Sequence, residues 1–432
     1  MTPHTPCGAG SHLIARRQML GGLLGSVTTA GALAPIGQAE LAAELTQSDR
    51  QMLIIFLDGA VSQLESWDPK DATDTGGPFQ AISTSQPGVS VSELLPHTSQ
   101  QLHHLLLVRG VNTKENNHAK GKYLMTKGRR QEPSTDYPDL GAVTSRLLTR
   151  PGARLPGFVH LEDGRRAAGK PTSSGQDAAY LGPRYGSLVI GDCQPPEHSS
   201  PLAGQSPESD RLRRQFRQRL NQRFARRGNA ATRAFAASFE QAEQLMANAH
   251  VFDVSKEPAA DHQRYGTHGF AQNCLMARRL LEHGVTCVKV MHTNYDTHNE
   301  NFNHHLEQLG EFDRPFAALI EDLALRGLLE KTLVVVTSEF GRTPKINSKF
   351  GRDHWSNAWS LALAGCGIKA PGVFGRTNDN GTEVVEHEVD HRQLFHTFLK
   401  AVGADTRRHF DVNGRPIPVA DPAAGPIEEI LA

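Results

Sequence analysis

The sequence predicts an α/β fold built on a mostly parallel central sheet. Three observations predict it: short runs of aliphatic and β-branched residues, acidic residues at the ends of several of these runs, and helical periodicity between them. Runs without polar alternation are typical of strands buried on both faces, as in parallel sheets. With 432 residues, 38% hydrophobic and 21% charged, the chain suits one large domain or two ordinary ones.

Four apolar runs are the main strand candidates. They cover residues 51–57, 105–108, 285–291 and 332–337. The first ends on Asp58 and the last leads to Glu339, so each delivers a carboxylate to a turn. Residues 302–329 have helical periodicity, which predicts a helix that links two parallel strands. A further strand is expected at 360–364, with a closing helix at 392–402.

The N-terminal segment, residues 1–39, has the features of an export signal. Arg16 and Arg17 precede a weakly apolar stretch, and small residues lie near Ala39. This pattern is typical of a cleaved twin-arginine signal, and no later stretch is apolar enough to span a bilayer. We therefore expect a periplasmic or otherwise exported protein that uses the twin-arginine export machinery and has no stable membrane insertion.

The middle of the chain differs in composition from the rest. Residues 194–209 are rich in Pro, Ser, Glu and Gly, and the segment DRLRRQFRQRLNQRFARRG that follows carries eight arginines. Apolar residues spaced four apart, from Leu212 to Phe224, predict an amphipathic helix that packs its apolar stripe onto the body. A patch for an anionic surface is the alternative. We expect a helical, loop-rich insertion at about residues 194–262 within a single domain of residues 48–420.

Polar residues at the predicted strand ends form one candidate site. They are Asp58, Asp296, His298, Glu339 and, later in the chain, Asp353 and His354. In open α/β sheets the ligand crevice lies outside the carboxyl ends of the strands, so we expect these side chains to converge. Mixed carboxylate and imidazole ligands suit zinc, manganese or iron better than calcium. One or two such divalent ions are the expected cofactors.

The order of these elements resembles that of the alkaline phosphatase and sulfatase superfamily: strand-Asp, nucleophile helix, Asp-x-His, strand-acid-x-Gly and a late His. More specifically, the segments LDGAVSQLESWDPK, NNHAKGKYLMTKG, YDTH, LRGLLEKTLVVVTSEFGRTP and GRDHW are similar to an uncharacterised bacterial family, often exported by the twin-arginine route and classed as a domain of unknown function. The resemblance covers residues 51–403. It implies a three-layer α/β/α sandwich of the alkaline phosphatase type.

Two positions depart from the superfamily pattern. Where the superfamily strand ends Asp-His-Gly and both polar residues bind metal, this chain has Glu339 followed by Phe340, so one imidazole is missing. Where the superfamily helix opens with a Ser, Thr or Cys nucleophile, counting back ten residues from Gly128 reaches His118, and a one-residue slip reaches Asn117. Neither residue supplies a hydroxyl or thiol nucleophile.

We interpret His118 as the replacement for the imidazole that Phe340 lacks. In this hypothesis one ion is held by Asp58, His118 and Glu339, and a second by Asp296, His298 and His354. Two-metal sites activate water and stabilise a leaving oxygen without a covalent nucleophile. In the alternative, His118 is itself the nucleophile.

These features predict an exported, metal-dependent hydrolase of phosphate or sulfate esters. The expected substrate is an anionic ester, either a small molecule or one linked to a polysaccharide. Arg342 either clamps an anionic ester oxygen or binds a nearby carboxylate structurally. The alternative function is a non-catalytic binding or scaffold protein that retains the fold. Basic and acidic residues are equal in number, 46 each, so no nucleic-acid partner is expected.

Overall fold

The computed structural model describes residues 49–162, 175–191, 204, 206–225, 239–240 and 242–432. The predicted signal segment, residues 1–39, and part of the predicted insertion at 194–262 lie outside these residues. The expected domain boundaries therefore stay predictions.

One eight-stranded sheet organises the described part of the chain. In spatial order its strands are β12 (Gly372–Phe374), β4 (Leu105–Val111), β11 (Trp359–Gly365), β8 (Thr332–Thr337), β1 (Gln51–Leu57), β7 (Cys287–His292), β5 (Phe158–Glu162) and β6 (Leu188–Gly191). β11 pairs antiparallel with both β8 and β4, and the other neighbouring strands pair parallel. The prediction of a mostly parallel sheet is confirmed.

Four short antiparallel ribbons accompany the sheet. They pair β2 (Ala81–Ser83) with β3 (Ser90–Ser92), β9 (Gly341–Arg342) with β10 (His354–Trp355), β13 (Arg376–Thr377) with β14 (Val384–Glu386), and β15 (His409–Val412) with β16 (Arg415–Pro418). The α-helices with described bounds are α1 (Pro96–Ser99), α2 (His118–Lys127), α3 (Leu140–Leu148), α4 (Pro207–Ala225), α5 (Ala259–Tyr265), α6 (Gly269–Glu282), α7 (Asn301–Leu325) and α8 (His391–Ala401). Residues 239–240 and 242–247 are also helical. Among the residues with described structure, no helix is both long and apolar enough to cross a membrane.

Successive residues of β1 face two separate hydrophobic cores, because side chains alternate between the faces of a strand. Leu53, Ile55 and Leu57 pack in the core that includes α6 and α7. Met52, Ile54 and Phe56 pack in the core that includes α3 and α8. A helical layer therefore covers each face of the sheet, which is the predicted three-layer α/β/α arrangement.

The helix α4 forms where it is predicted, but its apolar stripe is not packed onto the body. Leu212, Phe216 and Leu220 are 52%, 65% and 37% exposed. The prediction of a buried stripe is therefore wrong. Periodicity indicates that one face of a helix is apolar, and it does not indicate what covers that face.

Candidate metal centre

The candidate site lies at the carboxyl ends of β8, β1 and β7, which are adjacent and parallel. Asp58 follows β1 directly, and its backbone N–H donates to the carbonyl of His292 at the end of β7 (2.7 Å). Gly59 then adopts φ = +107°, and a Cβ at this position would lie 2.6 Å from the backbone nitrogen of Asp296. Only glycine combines this backbone conformation with so close an approach. The loops after β1 and β7 therefore lie in direct contact.

The helix α2 brings His118 to the same edge of the sheet. The side chain of Asn117 accepts from the backbone N–H of Lys120 (3.2 Å), so Asn117 is the N-cap and His118 is the first helical residue. Gly121, one turn later, is packed so tightly that a Cβ there would lie 2.9 Å from the ring of Phe340. The absence of a side chain at 121 lets the helix approach Glu339 and Phe340.

Three imidazoles surround one carboxylate oxygen, Asp296 Oδ1. The Nε2 atoms of His118, His298 and His354 lie 3.4, 3.2 and 3.5 Å from it. The Nε2 atoms of His298 and His354 are also 3.0 Å from each other. The structure thus brings together four of the six residues expected to bind metal.

The opposite nitrogen of each of these rings faces an oxygen. Nδ1 lies 2.7 Å from Glu339 Oε1 in His118, from Asp353 Oδ1 in His298 and from the Asn116 carbonyl in His354. Ionised carboxylates and carbonyls only accept hydrogen bonds, so each Nδ1 carries the proton and donates it. In the neutral rings, each Nε2 then presents a lone pair toward Asp296. This arrangement is typical of metal-binding histidines, whose second nitrogen is held by an oxygen.

The donor set fits a divalent ion. Adjacent ligand atoms around an ion at about 2.0–2.2 Å lie roughly 2.8–3.6 Å apart in tetrahedral or octahedral geometry. His118, Asp296 and His354 place their ligand atoms within 4.8 Å of one another, with the two Nε2 atoms 3.4 and 3.5 Å from Asp296 Oδ1, so these three residues could hold one ion. His298 Nε2 lies beside this group, 3.2 Å from Asp296 Oδ1 and 3.0 Å from His354 Nε2. His118 Nε2 is buried and makes no hydrogen bond within the described part of the chain. Without an ion, a proton on His118 Nε2 takes its place between that nitrogen and Asp296 Oδ1.

Electrostatics at the centre follow from the same contacts. Burial lowers the pKa of His118, but contacts with Asp296 and Glu339 outweigh it and raise this pKa to about 9. Contacts with His118 and His354, and then with Arg342, hold the pKa of Asp296 well below its usual value despite partial burial. The hydrogen bond from His298 lowers the pKa of Asp353. Negative charge at this edge is therefore stabilised and available to a cation.

Glu339 and Asp58 lie beside the centre but not among its converging atoms. Glu339 is fully buried, and its Oε1 accepts from His118 Nδ1 (2.7 Å) and the Gly59 N–H (3.1 Å). The Ser338 hydroxyl lies 3.0 Å from Oε2 but donates its single proton to the closer Leu57 carbonyl (2.5 Å). Asp58 Oδ1 pairs with the ammonium of Lys122 at 2.5 Å. The hypothesised grouping of Asp58, His118 and Glu339 around one ion is therefore revised. Glu339 orients His118, whose other nitrogen faces Asp296.

Arg342 has its donors directed at the protein. Its side chain is fully buried, with Nε donating to the Ala60 carbonyl (2.9 Å) and Nη1 to that of Arg352 (3.1 Å). Nη2 donates to the Gly59 carbonyl and to Asp296 Oδ1 (2.7 Å). Of the two interpretations of Arg342, this geometry favours the structural one: it fixes the loop after β1 and orients Asp296.

Two contributions were not found from the sequence. The Asn116 carbonyl orients His354, and a backbone atom leaves no side-chain signal. Glu65, fully buried, binds the equally buried Arg352 through Nη2 (2.8 Å) and Nε (3.1 Å), and also accepts from Asn301 Nδ2 (3.0 Å). A single acid in a turn after β1 gives no indication in the sequence that it will be buried with an arginine nearly 300 residues later.

Several solved structures are similar to this chain at low identity. The lipoteichoic acid synthase LtaP from Listeria monocytogenes shares 8% identity over 87% of this chain and 75% of that chain, with a TM-score of 0.39. The PsFucS1 sulfatase from Pseudoalteromonas sp. shares 12% over 86% and 72%, with a TM-score of 0.40. The phosphonate monoester hydrolase SpPMH from Silicibacter pomeroyi shares 13% over 85% and 75%, with a TM-score of 0.35.

Comparison at the level of sequence identifies a family for the chain, although it finds no individual curated relative. No curated protein matches the chain. A family model described as "Protein of unknown function (DUF1501)" matches residues 49–431. Because this match spans far more than half of the chain, the protein belongs to this family.

Proposed function

We propose that the protein is an exported, metal-dependent hydrolase of phosphate or sulfate esters. The observation that carries the proposal is the convergence of three imidazole Nε2 atoms on Asp296 Oδ1 at the carboxyl edge of the sheet. The side chains of Asp296 and His298 are 50% and 45% exposed, so the centre is open to a ligand from solvent. Residues that bind metal at an accessible strand edge are typical of active sites.

The chain's own residues would prepare this centre for ester hydrolysis. A divalent ion held there would polarise an ester oxygen and lower the pKa of a water molecule. Glu339, Asp353 and the Asn116 carbonyl hold the Nδ1 protons, so the rings keep their Nε2 atoms directed at the centre. Lys122, 39% exposed beside Asp58, can approach an anionic ester oxygen.

The contacts of His118 favour a ligand over a nucleophile. Its Nδ1 is held by Glu339, and its Nε2 is directed at Asp296. A nucleophilic Nε2 would have to face substrate, and here it faces the other candidate ligands. Water is therefore the proposed attacking group.

The number of protein ligands also bears on which ion is bound. His118, Asp296 and His354 are the three residues whose ligand atoms lie within 4.8 Å of one another, and an ion with three protein ligands keeps a position for water or substrate, as in catalytic zinc sites. Zinc, manganese and iron all suit such imidazole and carboxylate donors. A shift of His298 Nε2, now 3.2 Å from Asp296 Oδ1, into the remaining position would give the closed coordination of a structural zinc, which is what favours the non-catalytic scaffold as the second candidate. The exposure of Asp296 and His298 favours the hydrolase.

The deciding experiment uses the mature chain without residues 1–39, loaded separately with zinc, manganese or iron. We expect hydrolysis of 4-nitrophenyl esters of phosphate or sulfate with at least one ion, and loss of bound metal and activity in His354→Ala, because His354 belongs to the group of residues whose ligand atoms converge. His104→Gln is the matched control, because His104 precedes β4 and so lies at the opposite edge of the sheet. Metal binding without hydrolysis of any ester would favour the scaffold.

The exported location is tested separately. Replacing Arg16 and Arg17 by Lys should retain the precursor in the cytoplasm, because the twin-arginine machinery reads this pair. Normal export of the double variant would contradict the proposed route.

A further inference from the structure

A lysine ammonium faces the Asp58 carboxylate beside the metal centre. Lys122 lies one turn after His118 on α2, and its Nζ is 2.5 Å from Asp58 Oδ1. Gly59, the residue after Asp58, donates its N–H to Glu339 Oε1, the same oxygen that accepts from His118 Nδ1. The Asp58–Lys122 ion pair is therefore joined to the centre through a single carboxylate oxygen.

The space near Asp58 and Glu339 is poorly suited to a second divalent ion. Glu339 Oε1 already accepts from His118 Nδ1 and from the Gly59 N–H, and the side chain is fully buried. Phe340, also fully buried, places its ring 4.9 Å from the ring of His118 and 4.8 Å from that of His354. An ion there would have to displace an ammonium from Asp58, break the hydrogen bonds of Glu339 and lie against an apolar ring.

The charges around the centre also favour one bound ion over two. Four carboxylates touch the centre or its ligands: Asp58, Asp296, Glu339 and Asp353. Two permanent cations contact them, Lys122 and Arg342. With neutral imidazoles, one divalent ion brings this set to zero charge, and a second would leave it at +2.

We propose that the centre binds one divalent ion, that the Lys122 ammonium is the second cation of the site, and that the neutral centre selects esters with a single negative charge. This inference rests on the proposed hydrolase function. Phosphodiesters and sulfate monoesters carry one charge. A phosphate monoester carries two near neutral pH. The balanced centre has no further counter-charge for either class of ester, so the second charge of the monoester adds a desolvation cost that a singly charged ester does not have.

The reaction is a simple hydrolysis. The oxygen of water bonds to phosphorus or sulfur while the bond from that atom to the leaving oxygen breaks. One water proton ends on the leaving oxygen, and the hydroxyl remains on the acid product. Lys122 Nζ stabilises charge on a non-bridging oxygen and exchanges no proton.

The first test is a count of bound metal in the mature protein loaded with manganese or zinc and freed of excess ion. We expect one ion per chain in the parent protein and in Lys122→Met. Two tightly bound ions in the parent protein would overturn the inference, while hydrolysis itself would still stand.

The second test compares kcat/KM for bis(4-nitrophenyl) phosphate, 4-nitrophenyl sulfate and 4-nitrophenyl phosphate. We expect one of the two singly charged esters to exceed the doubly charged monoester at least tenfold, and which of them does so distinguishes phosphodiesters from sulfates. A preference for the monoester would overturn the inference. Hydrolysis of none of them, with one ion bound, would refute the proposed function and the substrate class together, but not the single-ion count.

The third test isolates Lys122. Loss of one group that stabilises a developing charge costs about 100- to 1,000-fold, and the partial exposure of Lys122 places the expected loss at about 10- to 100-fold in kcat/KM. Lys122→Met should show this loss with unchanged metal content, and Lys122→Arg should recover part of it. Lys120→Met, an exposed residue of the same helix, should match the parent. Equal activity of Lys122→Met and the parent would remove the role of the ammonium.

Discussion

Metal affinity should rise steeply with pH, because His118 must lose a proton before its Nε2 can bind an ion. The pKa of this imidazole is raised to about 9 in the metal-free protein by contacts with Asp296 and Glu339, which outweigh its burial. At pH 7 roughly one metal-free chain in a hundred then has an unprotonated His118. The dissociation constant should therefore fall about tenfold for each pH unit between 7 and 9, and about 100-fold in all.

Isothermal titration with manganese measures this directly. Titrations at several pH values give the slope, and two buffers with different ionisation enthalpies count the proton released, which should be close to one at pH 7.5. The slope should disappear in His118→Gln and persist in His104→Gln. A dissociation constant that does not change over this pH range in the parent protein would refute His118 as a ligand with a raised pKa.

The raised pKa of His118 also makes the stability of the metal-free chain depend on pH, and here stability falls as pH rises, whereas metal affinity increases. The folded-state pKa of about 9 lies above the unfolded value of about 6.5, so the proton stabilises the fold. This contribution is complete below pH 6.5 and is lost as pH rises through 9. The melting temperature of the metal-free chain should decline over that interval, whereas the loaded chain, which carries no proton there, should not show the decline.

Three further substitutions follow from the geometry. Asp353→Ala removes the carboxylate that orients His298 and should weaken metal binding by about 10- to 100-fold. The melting temperature should change little, because Asp353 is exposed. Unchanged metal affinity in a chelator competition would contradict this role. Gly59→Ala, at φ = +107° and with its Cβ 2.6 Å from the next loop, should lower the free energy of unfolding by about 1–3 kcal/mol or more in urea, and a neutral effect would show that the loops separate without cost. His118→Ala should reduce bound metal, and adding Phe340→His should restore part of it, because the two rings lie 4.9 Å apart; no coupling between the two changes would argue against an exchange of ligand positions.

The sequence predicts the buried parts of the sheet well and their hydrogen-bonded limits less well. β1 and β8 begin and end where predicted, because each apolar run stops near an acid at the sheet edge. The predicted strand at 285–291 begins instead at Cys287, although Val285 is buried. The helical periodicity of residues 302–329 predicts a helix that ends near Gly327, and α7 ends two residues earlier, at Leu325; Gly327 takes φ = +64°, while Leu328 and Leu329 remain buried. Apolar character reports burial, and burial continues past the last hydrogen bond.

The candidate site was predictable as a location and not as a set of contacts. Because β1, β7 and β8 are parallel, the segments that follow them bring Asp58, Asp296 and Glu339 to the same edge of the sheet. The sequence predicts this shared location. Which nitrogen of His118 faces which neighbour depends on the depth at which α2 docks, and this depth is set by Gly121 against Phe340.

The departures at His118 and Phe340 have a common physical explanation in this structure. A carboxylate oxygen that binds metal directly needs a free lone pair, whereas Glu339 Oε1 accepts from both His118 Nδ1 and the Gly59 N–H. An imidazole at the first position of α2 therefore turns the acid of β8 from a candidate ligand into a hydrogen-bond partner, and it presents its own Nε2 to Asp296 instead. With that carboxylate engaged, an imidazole at position 340 would have no ion to bind beside Glu339, and an apolar ring fills the space at no cost in unpaired polar atoms. The remaining carboxylate, Asp58, is neutralised by Lys122 from the same helix, so one helix supplies both a ligand for the proposed ion and the cation that neutralises Asp58.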